Sequence, residues 1–174
     1  MGRLTIVLLI VMALSAVPAE AAVDKTYGIT TQGGFVVRMG PLKVKSHPYL
    51  RDAIAAFGQP TSVTPGRGVC TARWSAPRLT ALFTSFGAIN DVCRQGLLQT
   101  AVVRSPVWRT WAGLRVGMRS TRVLELHHHA EFSGGKWVLA TQDVIGSGPS
   151  PTVSALVREG RVTALSLWVG SAGD

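Results

Sequence analysis

The chain has 174 residues, of which 47% are hydrophobic and 16% charged, with a formal net charge of +9. Fourteen of its 18 basic residues are Arg, and they are scattered rather than blocked, which excludes a basic tail. The length allows one compact domain or two small fused halves.

The first residues carry an export pattern. Arg3 supplies a basic start, Leu4 to Val17 is an apolar run ending at Pro18, and Ala19-Glu20-Ala21 places small residues at a cleavage site. The run is too short and too quickly followed by small residues to be a membrane span, which predicts a signal peptide over 1–21. The mature chain is then expected to be soluble and extracytoplasmic. No cysteine precedes Cys70 to accept a lipid, and no later stretch is apolar enough to cross a bilayer. Losing Arg3 and Glu20 together leaves the charge at +9. Export argues against nucleic acid, and no nucleic-acid motif with interleaved aromatics is present. The charge therefore reads as a solvated surface, or as steering toward an acidic protein or an anionic envelope component.

Residues 22–34 read as a flexible, Gly/Thr-rich lead-in. Phe35–Met39 is strand-like, with Leu42–Val44 as an extension. A helix is expected over Ser46–Phe57, with Ser46 as N-cap, Leu50, Ile54 and Phe57 on one stripe, and Gly58 and Pro60 ending it. Strands follow at Val69–Ser75, Arg78–Phe86 and Leu97–Arg104. In the first of these, Cys70, Ala72 and Trp74 alternate with Thr71, Arg73 and Ser75. After a junction at Ser105–Thr110 the order recurs. Gly113–Gly117 leads to a helix at Ser120–Ala130, whose inner face is Val123, Leu126 and Ala130. Strands then run over Lys136–Gln142, Thr152–Arg158 and Arg161–Val169. Helix then three strands, at 35–104 and again at 111–170, predicts an α+β fold with helices packed on one face of an antiparallel sheet.

The final hairpin sets which side chains face outward. A two-residue Glu159-Gly160 turn would scatter apolar residues over both faces. A three-residue Arg158-Glu159-Gly160 loop, pairing Val157 with Arg161, collects Val153, Ala155, Val157, Leu165, Leu167 and Val169 on one face. The second register is therefore expected, with Thr152, Ser154, Ser166 and Trp168 on the other face.

Two cysteines in an exported chain read as one disulfide, Cys70–Cys93, worth about 3 kcal/mol in the chain-entropy model. His127-His128-His129 does not read as a metal site, because successive helical residues fan out by about 100°. His127 borders the apolar stripe, and the other two face water. Ser133-Gly134-Gly135-Lys136 matches S-x-x-K, but a Gly-Gly entry into a strand cannot place Lys beside Ser, and the companion motifs are missing. Gly33-Gly34 and Gly146-Ser147-Gly148 lack phosphate-loop spacing and read as turns. Trp108 and Trp111 flank the junction and read as packing residues. No catalytic, metal or cofactor signature emerges.

Ala53–Pro60, Cys70–Trp74, Cys93, Trp108-Arg109-Thr110 with Gly113–Gly117, Trp137-x-Leu139 and Gly160-Arg161-Val162 together resemble a group of secreted bacterial proteins whose shared motifs are structural and carry no known activity. More distantly, the tandem arrangement resembles the β-lactamase inhibitor protein and the outer-membrane assembly lipoproteins. That resemblance implies helices on one side of a sheet and partner contact on the other side or its loops. The inhibitor's second-repeat disulfide, its inhibitory loop and the lipoproteins' acylated cysteine have no counterpart here, so neither inhibition nor lipid anchoring carries over. The expected function is non-enzymatic binding of a partner protein through the helix-free face, with Arg73, Lys136 and Trp168 as contacts. The alternative is an envelope module that holds anionic polymers or lipid headgroups by diffuse charge.

Overall fold

A computed structural model describes residues 26–44, 47–85, 91–144 and 148–169. The signal read over 1–21, the Ser46 cap and most of the Gly146-Ser147-Gly148 turn lie outside them. β1 (Tyr27–Gln32) and β2 (Phe35–Met39) form an antiparallel hairpin, extended by β3 (Leu42–Lys43). α1 (Leu50–Phe57) follows; Asp52 accepts a 2.8 Å hydrogen bond from the Tyr49 backbone N–H at its start, and Gly58 at φ 81° ends it. A meander of β4 (Ser62–Gly66), β5 (Val69–Trp74) and β6 (Leu79–Thr84) leads through the one-turn α2 (Val92–Gln95) to β7 (Leu97–Val103). β8 (Trp108–Thr110) runs parallel to β1 and completes a sheet of order β3-β2-β1-β8. After α3 (Arg122–Leu126) comes a second meander of β9 (Glu131–Ser133), β10 (Lys136–Val144), β11 (Gly148–Arg158) and β12 (Arg161–Trp168). The two meanders join where β12 pairs with β7, giving one eight-stranded sheet, β4-β5-β6-β7-β12-β11-β10-β9.

This corrects the α+β expectation. Of the described residues 53% are strand and 13% helix, in two sheets with three short helices. The elements misread have physical reasons. The lead-in contains β1, whose strand character comes from pairing with β2 and β8 rather than from its own hydrophobicity, since Ile29 is its one buried residue. β4 and β9 are exposed along their whole length, so no apolar alternation betrays them. The helix expected over Ser120–Ala130 shrinks to Arg122–Leu126 because the chain leaves helical geometry at His127 (φ −129°, ψ 79°). There the imidazole lies against Thr110.

The core lies on one face of the large sheet. Cys70, Ala72 and Trp74 on β5, Leu79, Ala81 and Phe83 on β6, and Leu165 and Leu167 on β12 are buried there. They belong to one cluster with Ile29, Met39 and Leu42 of the smaller sheet and Leu50 and Ala53 of α1. Trp108 is fully buried where the sheets meet. It stacks on Tyr27 at 4.7 Å and donates its indole N–H to the Pro77 carbonyl at 2.7 Å. A disulfide joins Cys70 of β5 to Cys93 of α2, with Cα atoms 5.0 Å apart.

The last hairpin is closed by the rejected two-residue turn. Arg158 pairs with Arg161, and both Glu159 (φ 52°) and Gly160 (φ 70°) are left-handed. A bulge then skips Thr163, so that Leu156 pairs with Ala164, Ala155 with Leu165 and Val153 with Leu167. The extra residue restores the face sorting expected for the strands, although the turn itself differs.

Candidate functional site

Because side chains alternate along a strand, the registers define what stands on the far face of the eight-stranded sheet. One row of cross-strand neighbours crosses all eight strands, from Ser62 on β4 through Arg73, Thr80, Val102 and Ser166 to Ser154, Val138 and Glu131 on β9. The adjacent row contains Thr71, Leu82, Thr100 and Trp168. From β4 to β12 the residues of these two rows of the outer face are exposed or half-buried and mix hydroxyl-bearing with apolar side chains, whereas Ser154 of β11 and Val138 of β10 are buried.

Arg73, Lys136 and Trp168 all fall on this face by register. Arg73 is exposed, whereas Lys136 and Trp168 are half-buried. They are not one cluster. At about 4.8 Å per strand, Trp168 on β12 lies roughly 14 Å across the sheet from Arg73 on β5, and Lys136 on β10 roughly 24 Å. Two arginines not singled out from the sequence stand closer to Arg73. Arg73, Arg78 and Arg104, all exposed, line one concavity of about 460 Å³ together with Thr80 and Thr163. Arg78 immediately precedes β6 and Arg104 immediately follows β7, and the Arg104 N–H donates to the Arg78 carbonyl at 3.0 Å. Antiparallel strands of matching length bring their ends together, which was the available signal.

The turn that presents Arg78 is firmly held. Arg78 is left-handed at φ 48°, a conformation that costs an L-residue roughly 1–2 kcal/mol. Its N–H donates to Ser75 O at 3.1 Å, Ser75 N–H donates to Thr61 Oγ1 at 3.1 Å, and Pro77 O receives the Trp108 indole. Among the described residues the ion pairs are Arg51–Asp52 and Arg122–Glu125, so the three arginines of the concavity carry uncompensated charge.

The histidine run separates by environment. His127 is buried and its Nε2 lies 2.8 Å from Thr110 Oγ1, while His128 and His129 are exposed. Thr110 Oγ1 also accepts from the Leu114 N–H at 3.1 Å, so this one hydroxyl links the turn to the imidazole. Burial first, and the neighbouring His128 second, lower the His127 pKa below its ordinary 6.5. The Trp111 ring meets the imidazole edge-on at 4.8 Å. This arrangement ties the 110–114 turn to the end of α3.

Among the described residues no group of three or more His, Cys, Asp or Glu is placed to hold a metal ion, and no helix is long and apolar enough to cross a membrane. Comparison with protein-family models, curated proteins and solved structures finds no match.

Proposed function

We propose that the chain is an exported, non-enzymatic binding protein that engages an acidic partner protein through the outer face of its eight-stranded sheet. The observation that carries this reading is the run of exposed and half-buried residues from Ser62 through Arg73, Thr80 and Val102 to Ser166, on the face opposite the buried cluster. Export is supported by the Leu4–Val17 run and by the Cys70–Cys93 disulfide, a bond favoured in oxidising compartments. A sheet face that is uncharged at Thr80, Val102 and Ser166 and basic at its Arg73 margin suits a protein partner, since interface centres are depleted in charge while their rims are polar.

The test places a charge in the middle of the face. The mature protein is used to capture partners from its own exported proteome, alongside Val102→Glu, a half-buried site at the centre of the row. A specific partner held by the parent and lost from Val102→Glu is the expected result. If Val102→Glu retains it, the face is not the contact. If the parent instead binds anionic vesicles or polymers, and Val102→Glu binds them equally, diffuse charge replaces the specific reading.

A further inference from the structure

We propose that Arg73, Arg78 and Arg104 form a carboxylate-recognition site, which takes an acidic side-chain segment of the partner; this rests on the reading of the outer face as a protein contact. Three observations support it. The three arginines line one shallow concavity of about 460 Å³, so three positive charges stand beside one another at this end of the sheet. None has an ion-pair partner among the described residues. Thr80 lines the same concavity and adds a hydroxyl that can donate to an oxyanion.

The chemistry suits carboxylates. A guanidinium presents paired N–H donors that match two carboxylate oxygens, and charge-assisted bonds of this kind are about twice as strong as neutral ones. Three arginines around one hollow can bind two carboxylates and keep a net positive charge. Neighbouring Val102 and Ser166 supply uncharged surface for the remainder of a polypeptide, which a bare polymer of charges would not use. Arg78 is also set apart by its backbone. At φ 48° the backbone there would be less strained with glycine, so the position is conformationally suited to a residue other than the one it holds.

That feature allows charge and stability to be separated. A fluorescent oligoglutamate peptide is titrated into the full mature protein at low salt, with inorganic phosphate and phosphatidylglycerol vesicles as parallel probes. Arg78→Gly and Arg104→Gln are each expected to weaken peptide binding at least tenfold, with Arg78→Gly melting no lower than the parent. Arg67→Gln and Arg109→Gln, which remove equal charge at exposed positions on β-turn and β8 surfaces, are expected to change it less than twofold. Equal losses from all four variants overturn the site in favour of diffuse charge. Binding of vesicles or phosphate without the peptide also overturns it, because the recognised group is then not a polypeptide carboxylate. Should Val102→Glu abolish partner capture while Arg78→Gly and Arg104→Gln leave both partner and peptide binding intact, the arginine site falls and the outer-face reading stands.

Discussion

Gly34 lies so close to Thr141 that a Cβ built on it would stand 1.9 Å from the Thr141 carbonyl oxygen. The tip of the β1–β2 hairpin thereby docks on β10, and Thr152 donates a hydrogen bond to the Gly34 carbonyl. The smaller sheet is fastened to the second half of the larger one through a residue that has no side chain. Gly34→Ala is expected to destabilise the fold by more than 2 kcal/mol, since a left-handed backbone at φ 83° adds roughly 1–2 kcal/mol to the clash. Gly33→Ala meets nothing within 4 Å and should carry only the backbone cost. Denaturation midpoints of the two variants check this; equal values would mean that the hairpin tip is not docked.

Alkylation of the unreduced mature protein should leave Cys70 and Cys93 unmodified. Reduction should then lower stability by about 2–4 kcal/mol, given their separation of 23 residues. Mass spectrometry reads the first result and urea denaturation with and without reductant the second. Two labelled thiols in the untreated protein would remove the staple.

His127 should make the fold acid-sensitive. Its folded pKa is lowered by burial, so below pH 6.5 the unfolded chain binds a proton that the folded chain resists. The contribution is complete above pH 6.5 and is lost progressively as pH falls below it. Melting temperatures between pH 7.5 and pH 5 should decline in the parent more steeply than in His127→Gln. Parallel profiles would show that the imidazole does not govern the slope.

Trp108→Phe keeps most of the buried ring but leaves the Pro77 carbonyl without its 2.7 Å donor. A loss of about 1–3 kcal/mol is expected, the cost of an unpaired buried polar group. An unchanged urea midpoint would contradict the assigned bond.

What was legible in the sequence followed from periodicity, and what was hidden followed from pairing. The alternation of Cys70, Ala72 and Trp74 was plain because the strand is half-buried, and all three are indeed inward. The faces of Ala155, Leu165 and Leu167 were legible for the same reason. The turn joining their strands was not, because skipping Thr163 offsets a two-residue loop and a period-two pattern cannot reveal a compensating bulge. β1 was hidden among polar residues whose order depends on neighbours far along the chain, including Trp108 opposite Tyr27. Arg73, Lys136 and Trp168 could be put on one face, but their spacing required the strand order. The proximity of Arg78 and Arg104 to Arg73 needed that order too.

The seam at the middle of the large sheet has a consequence for how the chain reaches its folded state. Arg161–Trp168 is the latest of the described strands to be synthesised, yet it inserts between β11 and β7. Until it arrives, β7 presents a bare hydrogen-bonding edge formed some sixty residues earlier, as the Leu165↔Val103 pairing shows. The first meander therefore waits, half-assembled and adhesive, for the second to be completed. Such non-local closure slows folding and exposes an edge open to wrong partners in the interval. Truncation ahead of Arg161 would prolong that interval indefinitely, turning a passing hazard of maturation into the resting condition of the molecule.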